Sequence, residues 1–152
     1  MKLAFILLLA ATVAQAQITG ADLIKGVNSP TGNSFVAAMK ARSAMVLTPA
    51  DGAKYYYVEK SADKCLETTT AYYNTGGDCK VTFSTTSAER FKALATSFGT
   101  AGFAELAKTA SAPVEMSDVS TTNPGIILKV TIAQKADACG KTQTFYTIML
   151  AR

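Results

Sequence analysis

The chain has 152 residues, with 15 basic and 11 acidic side chains, no histidine and a formal net charge of +4. That length makes one ordinary domain, and the missing histidine excludes Ser-His-Asp and Cys-His catalysis within the chain. The charges are scattered, without a run of Lys or Arg and without a nucleic-acid-binding motif, so no nucleic-acid footprint is legible.

The first sixteen residues read as a secretory signal peptide. Lys2 is the positive n-region, Leu3–Val13 an almost unbroken apolar h-region, and Ala14-Gln15-Ala16 an A-x-A cleavage site. The expected mature chain, 17–152, has 152 − 16 = 136 residues and a charge of 14 − 11 = +3. It is expected to be secreted and extracellular. No later run approaches the roughly 20 apolar residues of a membrane-spanning helix. N-glycosylation is not expected, because no Asn-x-Ser/Thr sequon is present.

In chain order, Thr19 caps a short helix through Val27 with Leu23, Ile24 and Val27 on one side, and Asn28–Gly32 breaks it. A second helix is predicted over Asn33–Met45, its stripe formed by Phe35, Val36, Met39, Ser43 and Val46. Pro49–Gly52 is a turn by composition. Strands follow at Lys54–Lys60, Leu66–Tyr73 and Cys79–Ser84, the last two joined through Asn74–Asp78. Thr86-Ser87-Ala88-Glu89 fits a capping box, and the helix it opens carries Phe91, Leu94 and Phe98 before ending at Gly99. Ala101–Ala110 spaces Phe103, Leu106, Ala107 and Ala110 as a further short helix. Ser111–Pro124 reads as loop. A last hairpin, Gly125–Gln134 and Lys141–Leu150, closes the chain.

Helices, strands, helices, strands in that order argue an α+β domain: an antiparallel sheet of about five strands with the helices on one face. Part of the pattern occurs twice. Ala62-Asp63-Lys64-Cys65 returns after 139 − 65 = 74 positions as Ala136-Asp137-Ala138-Cys139, and Thr68, Thr70 and Tyr72 match Thr142, Thr144 and Tyr146. Upstream, Phe35, Lys40, Ser43, Ala44 and Val46 match Phe103, Lys108, Ser111, Ala112 and Val114 at a spacing of 103 − 35 = 68. A duplicated helix-pair plus hairpin unit, with half-repeats at 18–74 and 87–152, accounts for the agreement. Chance similarity in a chain rich in Ala, Thr and Lys is the alternative.

Both hairpins present one Thr/Tyr face. If Lys60 pairs with Cys65, then Tyr55, Tyr57, Thr68, Thr70 and Tyr72 point one way, leaving Tyr56 and Val58 as core candidates. In the last hairpin Ile126, Leu128, Val130, Ile132, Phe145 and Met149 are assigned to the core. Lys129, Thr131, Thr142, Thr144 and Tyr146 are assigned to the opposite side. The Thr/Tyr face is therefore expected to be the wetter one and the candidate binding surface, since Tyr combines contact area with a polar handle. The competing reading is that Thr and Tyr are simply good strand residues.

Three cysteines in a secreted chain imply one disulfide and one odd cysteine. An extended Leu66–Tyr73 would hold Cys65 and Cys79 more than about 20 Å apart, whereas a disulfide needs Cα atoms within about 7 Å. Cys65–Cys139 is preferred because the two hold equivalent hairpin positions. Cys65–Cys79 stays open if that strand is not extended. The odd cysteine is then a buried thiol or the link of a disulfide-bonded dimer.

No catalytic motif stands out. Ser61-Ala62-Asp63-Lys64 matches Ser-x-x-K formally but lacks the Ser-Asp-Asn and Lys-Thr-Gly partners, and such short patterns recur by chance. No spacing singles out a carboxylate pair, and three cysteines without histidine make a poor zinc site in an oxidising compartment. No enzyme activity, metal or cofactor is expected.

From Phe35 to Phe83 the layout FVAAMKARSAMVL, Asp51-Gly52, KYYYVEK, Cys65 and Cys79-Lys80-Val81-Thr82-Phe83 resembles secreted cystatins. The resemblance implies a long helix packed on an antiparallel sheet and, for an inhibitory member, blockade of papain-like proteases. The chain departs from that pattern. Ala44–Thr48 stands where inhibitory members carry Gln-x-Val-x-Gly, the Pro-Trp hairpin is missing because there is no Trp, and the helices from Ser87 to Ala110 have no counterpart. The reading carried forward is a small secreted, non-catalytic protein that binds a macromolecule or ligand through its sheet face or loops. A cystatin-like inhibitor and a structural component of a matrix or coat are the alternatives.

Overall fold

Thr19 starts the first helix with a reciprocal pair of bonds. Its hydroxyl accepts the Asp22 N–H, and the Asp22 carboxylate accepts the Thr19 N–H at 2.9 Å. This capping box satisfies two otherwise orphaned donors at the head of α1, Gly20–Val27. A computed structural model describes residues 17–28, 33–40, 45–47, 55–59, 64–75, 78–99, 101–103, 106, 116–119 and 122–152. The expected signal peptide, the expected turn at 49–52 and most of the expected helix at 101–110 lie outside the described residues.

Two further helices are α2, Asn33–Lys40, and α3, Ala88–Gly99. The strands are β1 Met45–Leu47, β2 Tyr55–Glu59, β3 Thr68–Thr75, β4 Asp78–Thr85, β5 Met116–Val119, β6 Ile127–Ala136 and β7 Thr142–Ala151. All are antiparallel, in the order β1-β2-β3-β4-β7-β6-β5. The five expected strands form the centre of this α+β fold, and β1 and β5 extend its edges. Two three-strand meanders, β1-β2-β3 and β7-β6-β5, therefore flank β4.

Several expected boundaries move. Met45 belongs to β1, so α2 is shorter than the predicted Asn33–Met45. β5 lies in the stretch expected to be loop. The cap of α3 is Ser87 rather than Thr86: the Ser87 hydroxyl accepts the Arg90 N–H at 3.1 Å. Thr86 is held elsewhere, donating its N–H to the Glu67 carbonyl at 3.0 Å and accepting the Glu67 N–H on its hydroxyl at 3.2 Å.

The core lies between the helices and one face of the sheet. Leu23, Ile24 and Val27 of α1, Phe35 and Met39 of α2, and Phe91, Leu94 and Phe98 of α3 are buried as their spacing predicts, together with Phe103 and Leu106. Close approach sets one glycine: a Cβ at Gly26 would fall 2.6 Å from Phe35 Cδ2, so α1 and α2 pack at that distance only with glycine there.

Candidate functional site

Strand register decides which residues share a face. In the first hairpin Tyr55 pairs with Tyr72 and Tyr57 with Thr70, continuing to Phe83 and Val81 on β4 and from there to Ile148 and Leu150 on β7. This register is two residues from the assumed Lys60–Cys65 pairing, a shift that leaves faces unchanged. In the last hairpin Ile132 pairs with Tyr146 and Gln134 with Thr144, while Ala133 pairs with Phe145 and Lys129 with Met149. Tyr55, Tyr57, Thr68, Thr70, Tyr72, Thr142, Thr144 and Tyr146 thus do share one face, now joined by Leu128, Val130 and Ile132. Phe145 and Met149 move to the other side.

That shared face is the one beneath the helices, and the expectation that it is the wetter face is corrected. Tyr57 is 4% exposed, and Thr70 and Tyr72 are fully buried. The Phe35 ring stacks on Tyr72 at 5.3 Å and meets Tyr57 edge-on at 5.8 Å, and Tyr55 lies 5.9 Å from Tyr72. Phe91 stacks on Tyr146 at 4.9 Å. Burial holds the Tyr57 hydroxyl above the ordinary tyrosine range, with Tyr55 beside it adding to the rise. Thr68 and Thr85 share a hydroxyl bond of 2.7 Å, and the Thr70 hydroxyl is buried without a hydrogen-bond partner among the described residues. Tyr55, Thr68 and Tyr146 are half-buried, and the far end of the face is wetter, where Thr142 is exposed and half-buried Thr144 accepts the Gln134 amide at 2.8 Å. Val58, expected in the core, sits half-buried on the opposite face, and the Tyr56 side chain lies outside the described residues.

A charged pair closes the covered face. Glu59 on β2 receives Arg90 of α3 through Nε at 3.1 and 3.2 Å and Nη2 at 2.6 Å, with side chains only 10% and 8% exposed. Arg90 Nη2 also donates to the Ile18 carbonyl at 2.8 Å, and the guanidinium lies 5.2 Å from the Phe83 ring centre. This arrangement satisfies the buried charges and pins strand, helix and N-terminal segment together. No single element reveals it, because the partners stand 31 positions apart.

The opposite face carries no described helix. Its cross-strand rows follow from the register. Val58, Thr69, Ser84, Thr147 and Thr131 form one row, with Ser84 and Thr147 hydroxyls 3.2 Å apart. Ala71, Thr82, Met149 and Lys129 form the next, and Tyr73, Lys80, Ala151 and Ile127 a third. Lys80 lies 5.7 Å from the Tyr73 ring centre. Lys80, Lys129 and Ile127 are exposed, Ile127 at 45%, while the hydroxyl residues are half-buried. Thr69, Ser84 and Thr147 were not singled out in the sequence. The register parity that finds them depends on turn lengths.

Cys65 and Cys139 form a disulfide with Cα atoms 5.5 Å apart, and β3 is extended, which removes the Cys65–Cys79 alternative. Cys79 is buried, its thiol 3.8 Å from the Gly26 carbonyl, so a dimer linked through it would require α1 to lift from β4. The β6–β7 turn is organised by Asp137: Oδ1 accepts the Cys139 and Lys141 N–H groups at 2.9 Å each, and Oδ2 accepts the Gln143 amide. The Lys141 N–H, with Gln143, Cys139 and the Lys141 charge, holds the Asp137 carboxyl below the usual carboxylate range against the opposing effect of burial. Gly140, at φ 76°, completes the turn.

Among the described residues no group of three His, Cys, Asp or Glu is placed to hold a metal ion, and no helix is long and apolar enough to cross a membrane. Comparison with protein families, with curated proteins and with solved structures finds no match for this chain.

Proposed function

We propose that the chain is a small secreted, non-catalytic binding domain that docks an acidic protein partner on the face of its sheet that carries no described helix. The observation that carries this reading is the composition of that face. Its three central rows combine a line of half-buried hydroxyls (Thr69, Ser84, Thr147, Thr131), apolar side chains (half-buried Met149, exposed Ile127) and two exposed lysines (Lys80, Lys129), with no carboxylate in those rows. Apolar patches with a polar, charged surround are the composition of protein interfaces, and exposed lysines favour an acidic counterpart. The covered face has no comparable surface to offer, because its tyrosines are occupied in the core. Secretion is supported by the n-region, h-region and A-x-A order of residues 1–16, and the absence of histidine favours binding over catalysis.

The test uses immobilised protein and the extracellular fluid of its source. Wild type and Lys92→Glu, a change on the exposed side of α3, should retain the same partner. A Lys129→Glu/Thr147→Glu variant should lose it, and wild-type retention should weaken as salt is raised. Equal retention by the open-face variant overturns the assignment of the surface. Inhibition of papain by the purified protein would replace the binding-domain reading with a protease inhibitor.

A further inference from the structure

We infer that the cleft between the segment preceding α1 and the side of α3 is a binding site for a small neutral amide with a short, branched aliphatic body. The site lies on the helix side of the sheet, apart from the surface proposed above for a protein partner.

Ile18, Ala93 and Leu94 give the cleft apolar walls, and its volume is about 170 Å³. A cavity of about 150 Å³ accepts benzene, so the space suits a ligand of about six heavy atoms. The two hydroxyls on the wall are already engaged. Thr19 accepts the Asp22 N–H and donates to the Asp22 carboxylate at 2.9 Å. Ser97 accepts the Gly20 N–H at 2.8 Å and donates to the Leu94 carbonyl at 2.6 Å.

Arg90 and Gln17 hold the polar groups that are still open. A guanidinium carries N–H donors on all three of its nitrogens. Glu59 takes Nε and one side of Nη2, and the Ile18 carbonyl takes Nη2 at 2.8 Å. Nη1 has no partner among the described residues. It is not sealed in either, because Thr70 Oγ1 is the one side-chain polar atom both buried and unpartnered among the described residues. The Arg90 side chain is only 8% exposed and lines the cleft, so Nη1 has that space to donate into. Half-buried Gln17 lines the same cleft, and its carboxamide has no partner among the described residues.

These groups select charge as well as size. Glu59 already balances Arg90, and its carboxylate would repel a second anion. A neutral amide meets both open groups. Its carbonyl accepts from Arg90 Nη1, its N–H donates to Gln17 Oε1, and its aliphatic body lies against Ile18 and Leu94. Both ends of the amide are then paired, which offsets the cost of taking it out of water.

The probe is isobutyramide, titrated into the purified full chain and followed by NMR at the Gln17 side-chain amide and the Leu94 methyl groups. Both signals should shift saturably, with a dissociation constant on the order of 1–10 mM for a ligand so small. Isobutyrate, alike in shape but charged, should bind at least about tenfold more weakly. Ala93→Phe places a ring over the cleft from an exposed helix position and should abolish the shifts without lowering the melting temperature. Thr96→Phe, exposed on the same helix outside the cleft, should leave them intact. Shifts that do not saturate below about 50 mM overturn the site, as do shifts that survive Ala93→Phe. Isobutyrate binding as tightly as the amide overturns the choice of a neutral ligand.

Discussion

Removing the Cys65–Cys139 bond should cost this domain a large share of its stability. The bond spans 74 positions. For a loop of that length the chain-entropy relation gives about 15 cal/mol/K, or roughly 4.5 kcal/mol at 25 °C. Domains of this kind hold only about 5–15 kcal/mol in total. Unfolding entropy of about 2.1 cal/mol/K per residue over the 136 expected mature residues is about 0.29 kcal/mol/K, so the melting temperature should fall by roughly 15 °C. The assay is thermal and urea unfolding of a Cys65→Ser/Cys139→Ser chain beside wild type, followed by far-ultraviolet circular dichroism. Wild type unfolded with reductant should behave like the double variant, and its urea m-value should rise because the unlinked denatured chain exposes more surface. Cys79→Ala is the control, since Cys79 takes no part in the bond and its substitution should leave the m-value alone. A double variant melting within about 3 °C of wild type would refute the entropic reasoning. Peptide mapping that recovered Cys65 joined to Cys79 would refute the fold itself, because β3 runs extended for 8 residues between them, about 26 Å.

The Glu59–Arg90 pair should be costly to halve and cheaper to remove: Glu59→Ala or Arg90→Ala should each lose about 3–5 kcal/mol, whereas Glu59→Leu/Arg90→Met should lose clearly less, as read by urea denaturation. Thr70→Val should raise stability by about 1 kcal/mol, because the buried hydroxyl it removes has no described partner and the two side chains are close in shape; a measured loss would point to a partner for that hydroxyl. Asp137 has a folded pKa below its unfolded value, so its stabilisation is fully present above about pH 4 and is lost as the pH falls through the lower folded value. Asp137→Asn keeps an acceptor for the Cys139 and Lys141 N–H groups but does not titrate there, and its stability should fall less steeply on acidification; identical acid limbs would show that the turn does not depend on that charge.

Local structure was largely legible and the assignment of faces only in part. The Thr19 cap, the stripe of Phe91, Leu94 and Phe98, and the five central strands follow from patterns contained within a dozen residues. The preferred cysteine pair followed from equivalent hairpin positions. Errors arose where a residue had a distant use. Thr86 looked like a helix cap because Glu89 stands three residues on, yet its N–H and hydroxyl are bound to Glu67, and the cap passes to Ser87. In the last hairpin a pairing change of one residue exchanged Tyr146 with Phe145, since side chains alternate with period two. Glu59 and Arg90 gave no signal, because an ion pair between a strand and a helix leaves no spacing rule behind.

The reversal at the Thr/Tyr face has a geometric cause. Two of the helices, α1 and α2, have 8 residues each, about 12 Å of helix. Seven strands make a sheet with six spacings of about 4.8 Å, close to 29 Å across. Among the described residues, helices that short, even with α3, leave part of so wide a sheet to be filled by side chains of the sheet itself. Tyrosine is suited to this: each ring buries about 150–250 Å² and reaches the helix layer, as Tyr57 and Tyr72 do against Phe35. Threonines between them keep the strands close without adding height. A Thr/Tyr alternation therefore describes a core beneath short helices as readily as a wet surface. What separates the two readings is the area that the helices leave uncovered. Here that balance places the tyrosines inside, packed against Phe35 of α2 and Phe91 of α3.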